Sequence, residues 1–351
     1  MGSSTWLGVA GAIVVAGCSA GSASAPAALP ANPAAPLDCT PVDGLAPHLA
    51  CTGLYADWAS KTLAPESRAY APAVSLWADG ATKSRWIQLP PGSQIDTSDL
   101  DDWTFPLGTK IWKEFQLGGQ RIETRMLSKT DAGWTFAVYR WSADETSAPL
   151  LLMGEQGVNG TSYEVPPIND CPVCHNGRKD KVLGFELLGL GQAAAEGLNL
   201  ATLAREGLLT NPPPSTTFAL PEDGTGKAAP ALAWLHANCG NACHNGNSTA
   251  LASFTGLHMK VLASQLMPGS GAAPTVADLD TFRTAVNVPA HIQLQGQPCR
   301  RIAAGDSANS LLPHMDMARG GAAGVPQMPP LGTNVPDVAG VQLVKDWIDA
   351  L

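Results

Sequence analysis

The sequence predicts an α+β protein in two domains, a β-rich N-terminal sandwich or barrel followed by a mainly helical region. Three observations predict it. Residues 110–117 and 120–127 alternate on either side of Gly118-Gly119, the mark of a hairpin closed by a two-residue turn. Seven of the ten tryptophans, at positions 58, 77, 86, 103, 112, 134 and 141, fall within 55–165, where aromatic rings fill a β core more readily than they form a sugar-stacking platform. At the far end, Val341, Val344, Trp347, Ile348 and Leu351 recur at three- and four-residue spacing, one apolar stripe along a helix over 338–351.

A chain of 351 residues is long enough for two domains with cores of their own. Charged residues make up 15%, and 36 glycines and 29 prolines accompany a hydrophobic share of 45%, which suits a loop-rich globular protein and excludes a helical rod or a disordered chain. The net charge of −9 speaks against nucleic acid as a partner, and against docking on anionic lipid through a basic patch.

Taken in order, residues 6–17 are a short apolar run closed by Val15-Ala16-Gly17-Cys18. The run is too short to span a bilayer and reads as a signal h-region. Residues 1–18 resemble a bacterial lipoprotein signal, which implies that Cys18 is lipidated and the chain is anchored to a membrane without crossing it. They depart from the pattern in lacking Lys or Arg before residue 9. Residues 19–37 are almost wholly Ala, Pro, Ser and Gly and read as a flexible tether. Eight cysteines point to an oxidising, extracytoplasmic compartment, so Cys39 and Cys51 are expected to form a local disulfide. The β-rich domain then covers 38–165. Its third strand, 133–141, follows a Thr130-Asp131-Ala132 turn and puts Trp134, Phe136 and Val138 on one face. Glu164-Val165-Pro166-Pro167 marks its end, because proline interrupts strand and helix alike. Within 166–351, Asn199 caps a short helix over 200–206, and a helix over 228–238 runs straight into Cys239.

Chemistry is concentrated in Cys171-Pro172-Val173-Cys174-His175 and in a near-copy, Cys239-Gly240-Asn241-Ala242-Cys243-His244. C-x-x-C-H is the attachment pattern of c-type haem. Two thiols about one turn apart bond the two vinyl groups of a porphyrin, and the next residue, His, puts a nitrogen on the iron. Cys171, Cys174, Cys239 and Cys243 are therefore candidate attachment sites, and His175 and His244 candidate ligands. The second motif has one residue more between its cysteines, which must be looped out if both sulfurs are to reach the porphyrin. A zinc site or disulfides are the competing reading. Removing Cys18, Cys39, Cys51 and the two motif pairs leaves Cys299, which could instead pair with Cys239 or Cys243. Gly305-Asp306-Ser307 reads as a helix-capping turn, not a nucleophile, and there is no dinucleotide fingerprint or phosphate-cradling loop.

Residues 228–351 resemble a bacterial cytochrome c module, with His244 as one axial ligand and Met328, followed by Pro329-Pro330, as the other. Leu76-Trp77-Ala78-Asp79-Gly80-Ala81, Trp103-Thr104-Phe105-Pro106-Leu107-Gly108, Glu123-Thr124-Arg125 and Val182-Leu183-Gly184-Phe185-Glu186 look like marks of a family of bacterial two-haem cytochromes with a β-rich N-terminal domain. That resemblance covers most of 70–351. It implies haem c, one group or two, and single-electron transfer between redox partner proteins at the periplasmic face or outer membrane. For the first iron a sixth ligand is not obvious. Met153, Met259 or His258 could supply it, or the site stays open, which would suit a peroxidase-like enzyme. A third expectation is a non-redox, ligand-binding lipoprotein held by disulfides or zinc.

Overall fold

Gly118 and Gly119 both adopt positive φ, 59° and 84°, as a two-residue hairpin turn demands. They join β5 (Lys110–Leu117) to β6 (Gln120–Thr130), and a second tight turn leads to β7 (Gly133–Arg140). The computed structural model describes residues 1–2, 37–267, 273–321 and 324–351. Cys18, and nearly all of the leader and tether expected over 1–37, lie outside the described residues.

The hairpin belongs to a six-stranded antiparallel sheet of order β7-β6-β5-β4-β3-β8, where β3 is Arg68–Ala71, β4 Thr82–Gln88 and β8 Glu196–Gly197. β1 (Tyr55–Asp57) and β2 (Thr62–Leu63) form a separate ribbon. Instead of the expected sandwich or barrel, the described residues give one open sheet with a different cover on each side. In-register rows explain this, because opposed residues share a face. The row Trp86, Trp112, Met126, Ala137 packs with Leu49, Leu54 and Trp141 from flanking segments and with Tyr55 of β1. The row Ile87, Ile111, Leu127, Phe136 faces the other way, towards Phe185, Leu187 and Leu188 of the helical part. The second cover needs no partner sheet, since loops and helices downstream supply its apolar surface. β8, beyond Pro166-Pro167, extends the sheet edge, and Cys39–Leu351 pack as one compact unit.

The helices are short: α1 (Cys171–His175), α2 (Leu187–Gly191), α3 (Leu200–Arg205), α4 (Ala228–Leu235), α5 (Ala263–Leu266), α6 (Asp280–Ala285), α7 (Leu311–Met317) and α8 (Val338–Ala350). Asn199 caps α3 as expected, its side chain accepting from the Thr202 amide at 3.0 Å. Along α8 the stripe Val341, Val344, Trp347 and Ile348 is buried in the core that also holds Ala231, Leu232 and Leu235 of α4. Each such side chain contributes roughly 2 kcal/mol on leaving water. Asp337 caps α8 through the Gly340 amide and also accepts from the Trp234 indole at 2.8 Å, tying the two helices together. Cys39 and Cys51 are joined in a disulfide. Asp306 caps the Ser307–Asn309 turn, and the Ser307 hydroxyl donates to Asp349 at 2.9 Å. No helix among the described residues is long and apolar enough to cross a membrane.

Candidate functional site

α4 does not end in an ordinary cap. It passes into a widened turn, His236–Gly240, in which the Asn241 amide bonds the His236 carbonyl and the His244 amide the Cys239 carbonyl, each at 2.8 Å and five residues back. A turn of this π type takes up one residue more than an α turn. Cys239 and Cys243, four apart, are thus one turn apart without any residue being expelled.

Cys239, Cys243 and His244 line a cavity of about 510 Å³. Met328, Pro329 and Pro330 line the same cavity, and Leu257, Met259, Leu311, Leu312 and Val341 make most of the rest apolar. Its size falls in the range of cofactor sites, roughly 300–1,000 Å³. Burial pushes His244 down to about 4, so the imidazole is neutral at physiological pH, as an iron ligand must be. Its Nδ1 is buried without a hydrogen-bond partner. Met328 is held through its backbone: its amide donates to the Met315 carbonyl at 2.9 Å and its carbonyl accepts from Arg319 at 3.3 Å. Asp316, also in the cavity wall, is pushed up to about 7 by burial, with Arg319 opposing the shift. Two thiols, a neutral imidazole and a methionine in an apolar wall of this size are a lining compatible with a porphyrin.

The segment that carries Met328 is anchored from far upstream. The Asp79 carboxylate accepts from the Asn334 amide at 2.8 Å and the Val335 amide at 3.1 Å. Trp77 donates its indole N–H to the Val335 carbonyl at 2.7 Å, and its own amide donates to Asn238, just before Cys239, at 2.7 Å. Leu76-Trp77-Ala78-Asp79, a stretch with no chemistry of its own in the sequence, therefore bridges the strap and the second motif.

The first motif lies over the sheet. His175 Nδ1 meets the Lys181 carbonyl at 2.5 Å and its ring packs on Phe136, with centroids 5.1 Å apart. A carbonyl partner makes Nδ1 the N–H and leaves Nε2 the lone pair, the orientation in which ligating histidines are held. Burial, aided by Lys113, pushes His175 down to about 3. Burial raises Cys171 to about 11. Cys174 is pulled down by a hydrogen bond from Cys243, which is correspondingly raised. None of the three motif side chains lines the large cavity. Met153 is 83% exposed, and Met259 belongs to the cavity of the second motif, its amide bonding the His244 carbonyl at 2.7 Å.

The two motifs touch. Arg178 donates to Asn241 at 3.0 Å, the Thr249 hydroxyl to the Asn176 carbonyl at 2.5 Å, and Gly177 sits so close to the Ala242 carbonyl that a Cβ would overlap it. Below this contact His236 faces Glu186 at 3.3 Å, both buried. Burial works to raise Glu186, but His236 and two amides of α2 overcome it and hold the carboxyl at about 2.

Cys299 is free, its thiol donating to the Ile292 carbonyl at 3.2 Å, so the alternative pairing with Cys239 or Cys243 is not formed. Among the described residues no group of three or more His, Cys, Asp or Glu is gathered as a metal site would require. In the sequence Trp77, Asp79 and Arg125 stand as marks of a family resemblance, and Asp316, Lys83, Arg85 and Lys113 carry no signal at all. No family model, curated protein or solved structure matches the chain. Its chemistry has to be read from the site.

Proposed function

We propose that the chain is an extracytoplasmic c-type cytochrome, lipid-anchored through Cys18, that passes single electrons between redox partner proteins. In this reading 38–165 is a scaffold domain and 166–351 the haem-holding part. The observation that carries it is the 510 Å³ cavity whose walls combine Cys239, Cys243 and His244 with Met328. Cys239 and Cys243 would hold haem c as thioethers and His244 and Met328 would ligate its iron; Cys171, Cys174 and His175 would hold a second group. Haem c, when bound, supplies a one-electron iron couple whose potential depends on its axial ligands and burial. The protein's part is to keep both histidines neutral, to exclude water with an apolar wall, and to keep Met328 in place through Arg319, Trp77 and Asp79. Residues 171–178 and 239–249 in direct contact favour electron exchange between the two groups.

The test is an intact mass of the full chain exported from a host with haem-maturation machinery. Two covalent haem increments are expected, and Cys239→Ala/Cys243→Ala should remove one. A colourless product with four unmodified motif sulfurs would overturn the reading. The exposure of Met153 favours a second reading, in which the first site stays open on one side. Peroxide then changes the ferric spectrum; an unchanged spectrum rejects it.

A further inference from the structure

Three cations stand side by side under the first motif. Arg85 on β4, Lys113 on β5 and Arg125 on β6 are opposed in register, so all three project from the face that carries the helical part. Lys83, two residues before Arg85, lies on the same face in the adjacent row with Phe115 and Glu123. Among these four cations there is one carboxylate, Glu123, and Arg125 holds it in a two-pronged pair at 2.6 and 2.8 Å.

The others have only neutral partners. Arg85, 5% exposed, donates to the Ser75 hydroxyl at 3.1 Å. Lys113 donates to the Leu183 carbonyl at 3.1 Å, and Lys83 to the Leu76 carbonyl, with its ammonium above the Phe115 ring. Glu186 shares a small cavity with Arg85 and Lys113 but is committed to His236 and the α2 amides. Arg85 is buried and Lys83 and Lys113 are half-buried; cations so placed without counter-charge are costly, and an anion bound among them would lower that cost. The ring of His175 packs on Phe136, which stands on the same face in the row next to Lys113 and Arg125, and this puts the charge beside the first motif.

We propose that Lys83, Arg85 and Lys113, backed by Arg125, form a binding site for a carboxylate or small oxyanion next to Cys171 and Cys174. The carboxylates of a porphyrin joined to those cysteines are one source, which rests on the function proposed above; a free oxyanion is the other. The Arg85 fork and the Lys113 ammonium line one small cavity, an arrangement that suits a planar carboxylate.

The experiment is calorimetric titration of the full chain with inorganic phosphate and with formate at low ionic strength. It uses the wild type, Cys171→Ala/Cys174→Ala, and each with Lys113→Gln added. If a free oxyanion is the ligand, the wild type binds saturably and Lys113→Gln weakens binding at least tenfold. If porphyrin carboxylates fill the site, only the cysteine variant binds, and Lys113→Gln again abolishes it. Absence of binding in both forms, or binding indifferent to Lys113→Gln, overturns the proposal. Should the cysteine variant not fold, thermal unfolding of Lys113→Gln in the wild-type background decides. An occupied site loses stability with the cation, whereas a rise in Tm, from relief of unneutralised repulsion, rejects the proposal. The intact mass reports haem independently, so a haem-bearing protein that fails here leaves the functional reading standing.

Discussion

The two Cys-Cys-His segments differ in what surrounds them. The first has the textual pattern of a haem site without its extra residue, a histidine whose tautomer is fixed by Lys181, and a cationic sheet face. The second has the longer spacing, an imidazole nitrogen without a partner, and the large apolar cavity with Met328 in its wall. Sequence regularity and readiness of the site thus point in opposite directions. The reason is local: a short helix lying on a sheet presents its side chains to a wall, whereas a π turn at the end of a packed helix opens onto space enclosed by α7, α8 and the strap.

The contrast can be broken or sharpened by substitution. The largest effect is expected from His236→Ala, which strips the buried Glu186 of one partner, orphans the Val261 amide that His236 Nδ1 accepts and leaves a cavity beneath both motifs; a loss of about 4 kcal/mol in denaturant unfolding is expected. If the two sites were structurally independent, the loss would stay under about 1 kcal/mol, as for an exposed pair. Gly177→Ala should follow, at about 3 kcal/mol, because its Cβ meets a backbone carbonyl that cannot move aside cheaply. Asp79→Ala acts on the second site alone. It should cost about 1–2 kcal/mol and, in haem-bearing protein, weaken the spectroscopic signature of thioether ligation while leaving the haem mass unchanged. Retention of that signature would show that Asp79 does not steady the strap.

At acid pH Asp316→Asn gives the smallest effect, and it carries a pH signature. Unfolded, the carboxyl ionises near 3.8; folded, burial keeps it protonated up to about 7. The folded state therefore loses stability as pH rises through that window. The amide variant should equal the wild type at pH 4 and exceed it in Tm at pH 8. A constant difference across the range would refute the assignment.

Much of the scaffold was legible from local pattern. The strand 110–117, the Gly118-Gly119 turn, the Asn199 cap and the stripe on α8 are each fixed by a few neighbouring residues, and they stand where they were expected. What covers the sheet was not legible, because alternation in a strand says that one face is buried but not against what. Nor was the cationic row. A plain two-residue hairpin would oppose Lys113 to Thr124; a bulge near Phe115 shifts the register by one and brings Arg125 there instead.

The chain's own order of residues determined which groups are available: four motif thiols, two histidines, a methionine between a glutamine and two prolines, and a disulfide pair twelve residues apart. Tertiary structure alone decided which of them meet. Trp77 and Asp79 reach Val335 across more than 250 positions, and Cys174 reaches Cys243 across 69 (243 − 174). Such pairings depend on how separate apolar faces pack, and that free energy is carried by no single stretch of sequence.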